Sequence, residues 1–259
     1  MNYGWRARIG FITPSNTLET PAYEFYLMAP EGVTLVGACL SVNELTPEAI
    51  ETAQQQVEKV AKGVAAYSVD YLVVGGGPLA YIKGGRGDDR TLGRRVSLAS
   101  GVTAVSEMTA TVDALRSFGA RRIAVATPFG PLLNEPLTRF LSAEGFEIAS
   151  VRSLNKTKNA EITLLPTRAS YQVARDAWRE AQNADAIYIS CPRWPVAPNI
   201  EALEQDLGVP VVASVQSWLW AALRHLGIGA PIPNYGRLLR EIRPEGVKRD
   251  LRQPELVSA

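Results

Sequence analysis

The chain has 259 residues, 46% of them hydrophobic, and its 27 Lys and Arg against 26 Asp and Glu give a formal net charge of +1. This balance, without a basic stripe, argues against nucleic acid or a membrane surface as a partner. The sequence has no apolar stretch before its first strand and no run of about 18 apolar residues, so it predicts a cytoplasmic protein without a signal peptide or membrane span.

Apolar runs rich in Val, Ile and Tyr alternate along the chain with stretches of helical periodicity. The predicted strands are 8–13, 33–40, 71–75, 102–105, 122–127, 146–151, 186–190 and 209–213. The predicted helices are 17–27, 47–66, 88–99, 107–118, 131–143, 167–182, 199–207 and 215–226. This alternation is typical of βαβ units. The continuous apolar runs LVV and AIYI are typical of parallel strands covered on both faces, so the predicted fold class is α/β.

The second half of the chain repeats the first. RIGFITP at 8–14 returns as RIAVATP at 122–128, and VDYLVVGGGP at 69–78 corresponds to ADAIYISCPR at 184–193. The repeat predicts an N-terminal lobe over 1–118 and a C-terminal lobe over 119–229, each with four parallel strands. Residues 230–259 hold several prolines and charges without periodicity. They are predicted to form a partly ordered tail that packs on a neighbouring subunit in a homo-oligomer.

The distinctive loops all follow predicted strands. Ligands of such sheets bind beyond the carboxyl ends of the strands. The repeat places Gly76 opposite Cys191, so a thiol and a bare backbone are predicted to face each other across a cleft. A free thiol has a pKa of about 8.5 and can deliver a proton at pH 7. The loops concerned are 13–17, 75–78, 127–129 and 191–194.

Other residues of these loops are candidates for binding a carboxylate. The glycines at 75–77 allow a ligand close to the backbone, and Ser15, Asn16 and Thr17 are predicted to begin a helix whose N–H groups favour an anion. Arg193 is the best-placed cation, and Lys83 and Arg86 are further candidates. The glycine-rich segment 75–85 does not fit a nucleotide-binding motif.

Cysteine and histidine are scarce in this chain. Two cysteines and one histidine, His225, support neither a disulfide framework nor a His-ligated metal site. Cys39 lies in an apolar strand and is predicted to be buried, and His225 is assigned a structural role.

The segment TPSNTLETP at 13–21, the small-residue loop after the third strand and Ser190-Cys191 resemble the maleate cis-trans isomerase and arylmalonate decarboxylase group of the aspartate/glutamate racemase superfamily. The resemblance covers residues 6–228. It implies two flavodoxin-like (Rossmann-like) lobes related by a pseudo-dyad, with the active site between them and the last helix packing on the first lobe. It also implies an enzyme without cofactor or metal.

The resemblance further implies roles for single residues. Racemases and isomerases of this kind have a cysteine on each face of the substrate, whereas the decarboxylases keep only the second and have Gly at the first. This chain, with Gly76 and Cys191, has the decarboxylase pattern. Asn16 matches a substrate-binding asparagine, and Asn159 falls where the isomerases have another. The remaining positions implied to contact substrate are Gly77, Pro78, Thr127, Phe129 and Pro192.

Three of these positions depart from the pattern. Phe129 stands where a hydroxyl-bearing Tyr is expected, Pro192 where the decarboxylases have Gly, and Pro78 where they have Ser. Each change removes a hydrogen-bond donor for an enolate oxygen. Together with Trp194, these residues predict an apolar pocket and a substrate with a hydrophobic substituent.

The sequence therefore predicts a cofactor-independent enzyme that acts on a small carboxylic or dicarboxylic acid through an enolate-type intermediate, with one-sided proton transfer by Cys191. Decarboxylation is the first prediction. Isomerisation or racemisation is the alternative, although both normally use a second cysteine. A third alternative is a degenerate member that only binds a metabolite of a catabolic pathway.

Overall fold

The computed structural model describes residues 2–82 and 88–245, which form eight strands and twelve α-helices. The strands are β1 (Ala7–Ser15), β2 (Val33–Val42), β3 (Tyr71–Val74), β4 (Ala104–Ser106), β5 (Arg122–Phe129), β6 (Glu147–Lys156), β7 (Ala186–Ile189) and β8 (Val211–Ala213). The helices are α1 (Glu19–Met28), α2 (Pro47–Gln54), α3 (Val57–Ala65), α4 (Pro78–Tyr81), α5 (Asp88–Ser100), α6 (Glu107–Ser117), α7 (Pro131–Ala143), α8 (Asn159–Thr163), α9 (Thr167–Ala181), α10 (Ile200–Leu207), α11 (Ser214–His225) and α12 (Gly236–Arg240). All eight predicted strands are present.

The strands form two parallel sheets with the same topology. The first sheet has the order β2-β1-β3-β4 and the second the order β6-β5-β7-β8. Every residue of β3 and β7 is buried, because helices cover both faces of each sheet. The predicted α/β class with two four-stranded parallel sheets is confirmed.

The predicted helix over 47–66 is divided into α2 and α3. Thr46 caps α2 by accepting a hydrogen bond from the N–H of Ala49 at 3.3 Å, and Pro47 takes the first helical position, where no N–H is needed. The break at residues 55–56 lets α2 pack on α4 while α3 packs on α5 and β1. One straight helix could not reach both sets of neighbours.

Helix α11 joins the lobes. The ring of Trp218, which is fully buried, stacks on Phe11 and Phe25 of the first lobe, with ring centroids 4.9 and 5.7 Å away. Ser217 lies 3.1 Å from the Thr111 hydroxyl of α6. His225 packs its ring against Tyr71, with the centroids 4.8 Å apart. The lobes therefore share an aromatic core.

Residues 230–245, the first part of the stretch predicted to be a partly ordered tail, are ordered and pack on the second lobe. They include α12, whose Leu238 and Leu239 are buried, and Glu204 accepts a hydrogen bond from the N–H of Arg237 at 2.7 Å. A five-residue helix is too short for a periodic signal, which also explains why α4 and α8 were not predicted. Residues 246–259 lie outside the described part. None of the helices formed by the described residues combines the length and apolar character needed to cross a membrane.

Candidate active site

The loops after β3 and β7 have the same backbone turn. Gly76 has a φ of 80° and Cys191 a φ of 92°. Glycine adopts this conformation freely, but a side-chain-bearing residue held in such a region costs about 1–3 kcal/mol. The thiol of the second lobe is thus carried on a strained residue, whereas the equivalent residue of the first lobe is relaxed.

Equivalent hydrogen bonds hold the two loops. The Gly76 N–H donates to Oε2 of Glu107 at 2.7 Å, and the Cys191 N–H donates to the Ser214 hydroxyl at 3.0 Å. Helices α6 and α11, which Glu107 and Ser214 begin, pack against each other. Glu107 and Ser214 are the first residues after β4 and β8, so they occupy equivalent positions in the repeat. The loops of Gly76 and Cys191 are therefore anchored on two neighbouring helices.

The first-lobe loop requires small residues. A Cβ atom on Gly76 would fall well inside van der Waals contact with the ring of Pro14. One on Gly77 would lie 2.9 Å from the ring of Tyr81 and 3.0 Å from the sulfur of Met108. The glycines are thus needed for close packing as well as for the turn.

Cys191 is a buried, neutral thiol with only 5% of its surface exposed. Burial raises its pKa to about 12, and the charge of Glu107 acts in the same direction. The backbone N–H and the guanidinium of Arg193 oppose this rise. At pH 7 the sulfur holds its proton and is suited to act as an acid.

Arg193 fastens the loop after β1 to the second lobe. Its Nη1 donates to the Ser15 hydroxyl at 3.0 Å and to the Thr17 carbonyl at 2.8 Å. Its Nη2 donates to the Thr17 hydroxyl at 3.1 Å and to Glu19 at 2.6 Å. Its Nε–H is buried without a partner. Arg193 was predicted to bind a carboxylate. Both of its Nη atoms are engaged with the first lobe, so the Nε–H is the donor that remains available for one.

The prediction that residues 15–17 begin a helix is wrong. Ser15 is the last residue of β1, and α1 begins at Glu19, after Leu18 and without a side-chain cap. The reason is local, since the Ser15 hydroxyl donates to the Thr17 carbonyl at 2.9 Å and stabilises a turn. The helix N-terminus is therefore displaced from Asn16.

The two predicted asparagines lie at the end of β2. Asn16 is exposed and its amide donates to the Asn43 side chain. The Asn159 amide donates to the Val42 carbonyl at 3.2 Å and so links the second lobe to the first. An isolated bridge between Glu44 and Lys158 runs alongside. Both asparagines are thus brought to the same rim.

The loop after β5 satisfies its own polar groups. The Thr127 hydroxyl donates to Asn134 at 2.7 Å and accepts from the Phe129 N–H at 3.2 Å. Phe129 is 3% exposed, and Pro78 and Pro192 are buried in the loops that follow β3 and β7. Of these four predicted residues, Thr127 uses its hydroxyl within its own loop, and the other three have no side-chain hydrogen-bond donor.

Three functional candidates were not predicted from the sequence. Glu107 is fully buried, and its Oε1 has no partner. Burial raises its pKa to about 7, while the N–H of Gly76 and the hydroxyl of Ser214 act to lower it. The Tyr81 hydroxyl is also buried without a partner, and its pKa is raised by burial and by the nearby Tyr188, Glu107 and Cys191. Tyr188, the third, is 3.3 Å from the Ser190 hydroxyl. The pairing of Glu107 with Ser214 in the repeat was the signal available.

Cys39 is half-buried, so its predicted burial is wrong; it lies on β2, at the edge of the sheet. It pairs in register with Thr13, and β1 separates it from the loop of Gly76. Lys83 and Arg86 lie outside the described residues. Among the described residues, no three His, Cys, Asp or Glu side chains come together as a metal site.

Comparison with known proteins gives consistent matches. A sequence model of the family described as arylmalonate decarboxylase matches residues 9–239. The chain is 28% identical to the maleate isomerase of Nocardia farcinica over 243 residues and 29% identical to the arylmalonate decarboxylase of Bordetella bronchiseptica over 234 residues. Each alignment covers 90% of this chain and 96% of the relative.

Solved structures agree with these matches. A liganded arylmalonate decarboxylase, carrying a Gly-to-Cys and a Cys-to-Ser change, superposes with a TM-score of 0.84 at 26% identity, covering 91% of this chain and 99% of that one. A Cys-to-Ser mutant of the Nocardia farcinica maleate cis-trans isomerase, with a covalently bound succinylcysteine intermediate, gives 0.82 at 25% identity, covering 91% and 98%.

Proposed function

Because this chain belongs to the arylmalonate decarboxylase family, whose relatives above are enzymes, we propose that it decarboxylates a malonate-type dicarboxylic acid with a hydrophobic substituent. The observation that carries the proposal is that the two equivalent turns after β3 and β7 have one thiol between them, with Cys191 in the second and Gly76 at the matching position of the first. Loss of CO2 leaves an enediolate, and Cys191 protonates its carbon from one face. The product is then formed as one enantiomer.

The enediolate needs donors for its oxygens, and the N–H groups of Gly76 and Cys191 are already engaged. Among the described residues, the buried donors without a partner are the Arg193 Nε–H, the Tyr81 hydroxyl and three indole N–H groups, those of Trp178, Trp194 and Trp218. The first two carry the proposal, because Arg193 and Tyr81 both act on the pKa of Cys191 or respond to it. Buried donors are rarely left unpaired, which supports a ligand as their partner. Tyr81 would replace the hydroxyl that Phe129 lacks.

The apolar character of the site supports a substrate with a hydrophobic substituent. Phe129 and Trp194 are buried, as are the prolines at 78 and 192. Such a lining favours the binding of an aryl or alkyl group over that of the second carboxylate of maleate.

Isomerisation of maleate is the second candidate, supported by the Nocardia relative and by the position of Asn16 and Asn159 at one rim. Against it, the isomerase with a succinylcysteine in a Cys-to-Ser mutant has a cysteine besides the mutated one. The only other cysteine here is Cys39, separated from the Gly76 loop by β1.

The test uses phenylmalonate, methyl(phenyl)malonate and maleate with the purified chain. We expect CO2 release from both malonates and one enantiomer of the chiral product on chiral chromatography. Conversion of maleate to fumarate, without CO2 release from either malonate, would replace decarboxylation by isomerisation. Binding of these acids without any turnover would favour a metabolite-binding protein.

A further inference from the structure

Decarboxylation at this site consumes a proton in each turnover, and the following inference rests on the proposed function. When the C–C bond breaks, its electron pair remains on the substrate carbon as an enediolate. That carbon takes the proton of Cys191, which becomes a thiolate. The thiolate must regain a proton before the next turnover, so one proton per CO2 has to reach a sulfur that is only 5% exposed.

Few groups around the sulfur can return that proton. Arg193 acts on Cys191 through its charge but stays protonated in proteins. The pKa values of Tyr81 and Tyr188 are raised by burial, so these phenols are weak acids. Glu107 is the carboxylic acid whose charge acts on the Cys191 thiol.

The contacts of Glu107 suit a group that handles protons. Its Oε2 is held by the Gly76 N–H at 2.7 Å, whereas its Oε1 is buried with no partner. The Ser214 hydroxyl accepts from the Cys191 N–H at 3.0 Å, and about one turn further along, the hydroxyls of Thr111 on α6 and Ser217 on α11 lie 3.1 Å apart. Glu107 and Ser214 are the first residues of these two packed helices, so the Glu107 carboxyl lies next to the helix that holds the Cys191 loop.

We propose that Glu107 returns a proton to Cys191 after each turnover. The Glu107 carboxyl releases its proton and the thiolate takes it up. The resulting carboxylate regains a proton from water that enters the cleft when product leaves. Glu107 thereby acts on the first-lobe side, where this chain has Gly76 in place of a second cysteine.

The ionisation of Glu107 fits this cycle. Burial raises its pKa to about 7, while the N–H of Gly76 and the hydroxyl of Ser214 limit the rise. The titratable groups that face it are Cys191, Tyr81 and Tyr188. On α6 itself, Thr109 donates to the buried Asp89 of α5 at 2.7 Å. Because the protonated carboxyl is the active form, the steady-state rate should fall as the pH rises through about 7.

The experiment compares wild type and Glu107→Gln with phenylmalonate as the probe. The amide oxygen of Gln still accepts from the Gly76 N–H, so the loop keeps its bond while the acid is lost. We expect the variant to release about one equivalent of CO2 per site in a burst and then turn over about 10²-fold more slowly, with KM lowered alongside kcat and kcat/KM unchanged, because the slowed step follows the chemistry. Its rate should also lose the decline near pH 7.

Glu204→Gln is the matched control, since Glu204 is a buried carboxyl of α10 that also accepts from backbone N–H groups. It should leave the rate and the pH profile of decarboxylation unchanged. Glu107→Asp, which keeps an acid, should restore part of the steady-state rate and the decline with pH.

Three results would overturn the inference. Unchanged steady-state turnover and pH profile in Glu107→Gln would mean that water reprotonates Cys191 directly. Equal loss of burst and steady state, unrescued by Glu107→Asp, would mean a structural role. If the wild type is active and either of these results is obtained, only the return of the proton by Glu107 is overturned. If the wild type releases no CO2, the proposed function is overturned as well.

Discussion

The loops around Gly76 and Cys191 share a backbone turn but carry different chemical groups. Both turn through positive φ after a buried strand, and both place their N–H on a polar side chain one strand away. The first turn has no side chain at Gly76 and bonds a carboxyl group, whereas the second has a thiol at Cys191 and bonds a hydroxyl. The two halves of the repeat thus share one backbone geometry, and their different side chains place the thiol on one side only.

The difference extends to the residue two positions further on. Pro78 of the first loop corresponds to Arg193 of the second, and only Arg193 reaches across to the other lobe. The loop after β1 is consequently fastened by Ser15 and Thr17, while the loop after β5 bonds to its own lobe through Asn134. The second lobe therefore carries both the thiol and the clamp.

Removing the thiol should produce the largest effect. Cys191→Ser is expected to lower kcat for phenylmalonate by about 10²–10⁴-fold, because a serine hydroxyl is a far weaker acid. Binding of phenylmalonate, measured by calorimetry, should change little, since a neutral thiol adds little to ground-state affinity. Cys39→Ser is the control and should keep full activity. Full activity of Cys191→Ser would remove Cys191 from the mechanism.

Removing the clamp should be next in size. Arg193→Met leaves Ser15, Thr17 and Glu19 without their shared donor and is expected to lower the free energy of unfolding by about 2–3 kcal/mol. Urea denaturation followed by tryptophan fluorescence would measure it. Arg240→Met, which breaks a more exposed pair with Glu201, should cost less than about 1 kcal/mol. Equal losses in both variants would contradict the clamp.

Making the loops alike tests the comparison directly. Gly76→Cys places a Cβ against Pro14 at a positive φ and is expected to destabilise the protein by about 2 kcal/mol in the same denaturation assay. The added thiol should allow proton exchange on the second face, detected as racemisation of the chiral product in deuterated water. Gly101→Cys is the control, since Gly101 also has a positive φ but open space around its Cβ. If Gly76→Cys lowers the free energy of unfolding no more than Gly101→Cys does, Pro14 moves to make room for the new side chain and the predicted clash is absent.

The alternation of apolar and periodic segments was sufficient to predict both sheets and the lobe repeat. The side-chain directions in the cleft were not predictable. Glu107 reads in the sequence as an ordinary acidic residue in the first turn of a helix, and its burial follows from how the lobes meet. The exposure of Cys39 depends on the strand order, which places β2 at an edge of the sheet. The partners of Arg193 could not be predicted, because the sequence does not show which loop its side chain reaches.

The stacking of Trp218 on Phe11 and Phe25 has a consequence for biosynthesis. The first lobe leaves the ribosome long before α11 is made, so it emerges with an aromatic surface that awaits a residue near the end of the chain. A fragment of residues 1–118 should therefore aggregate or recruit chaperones, and the native state should be reached only after the last third of the chain is synthesised.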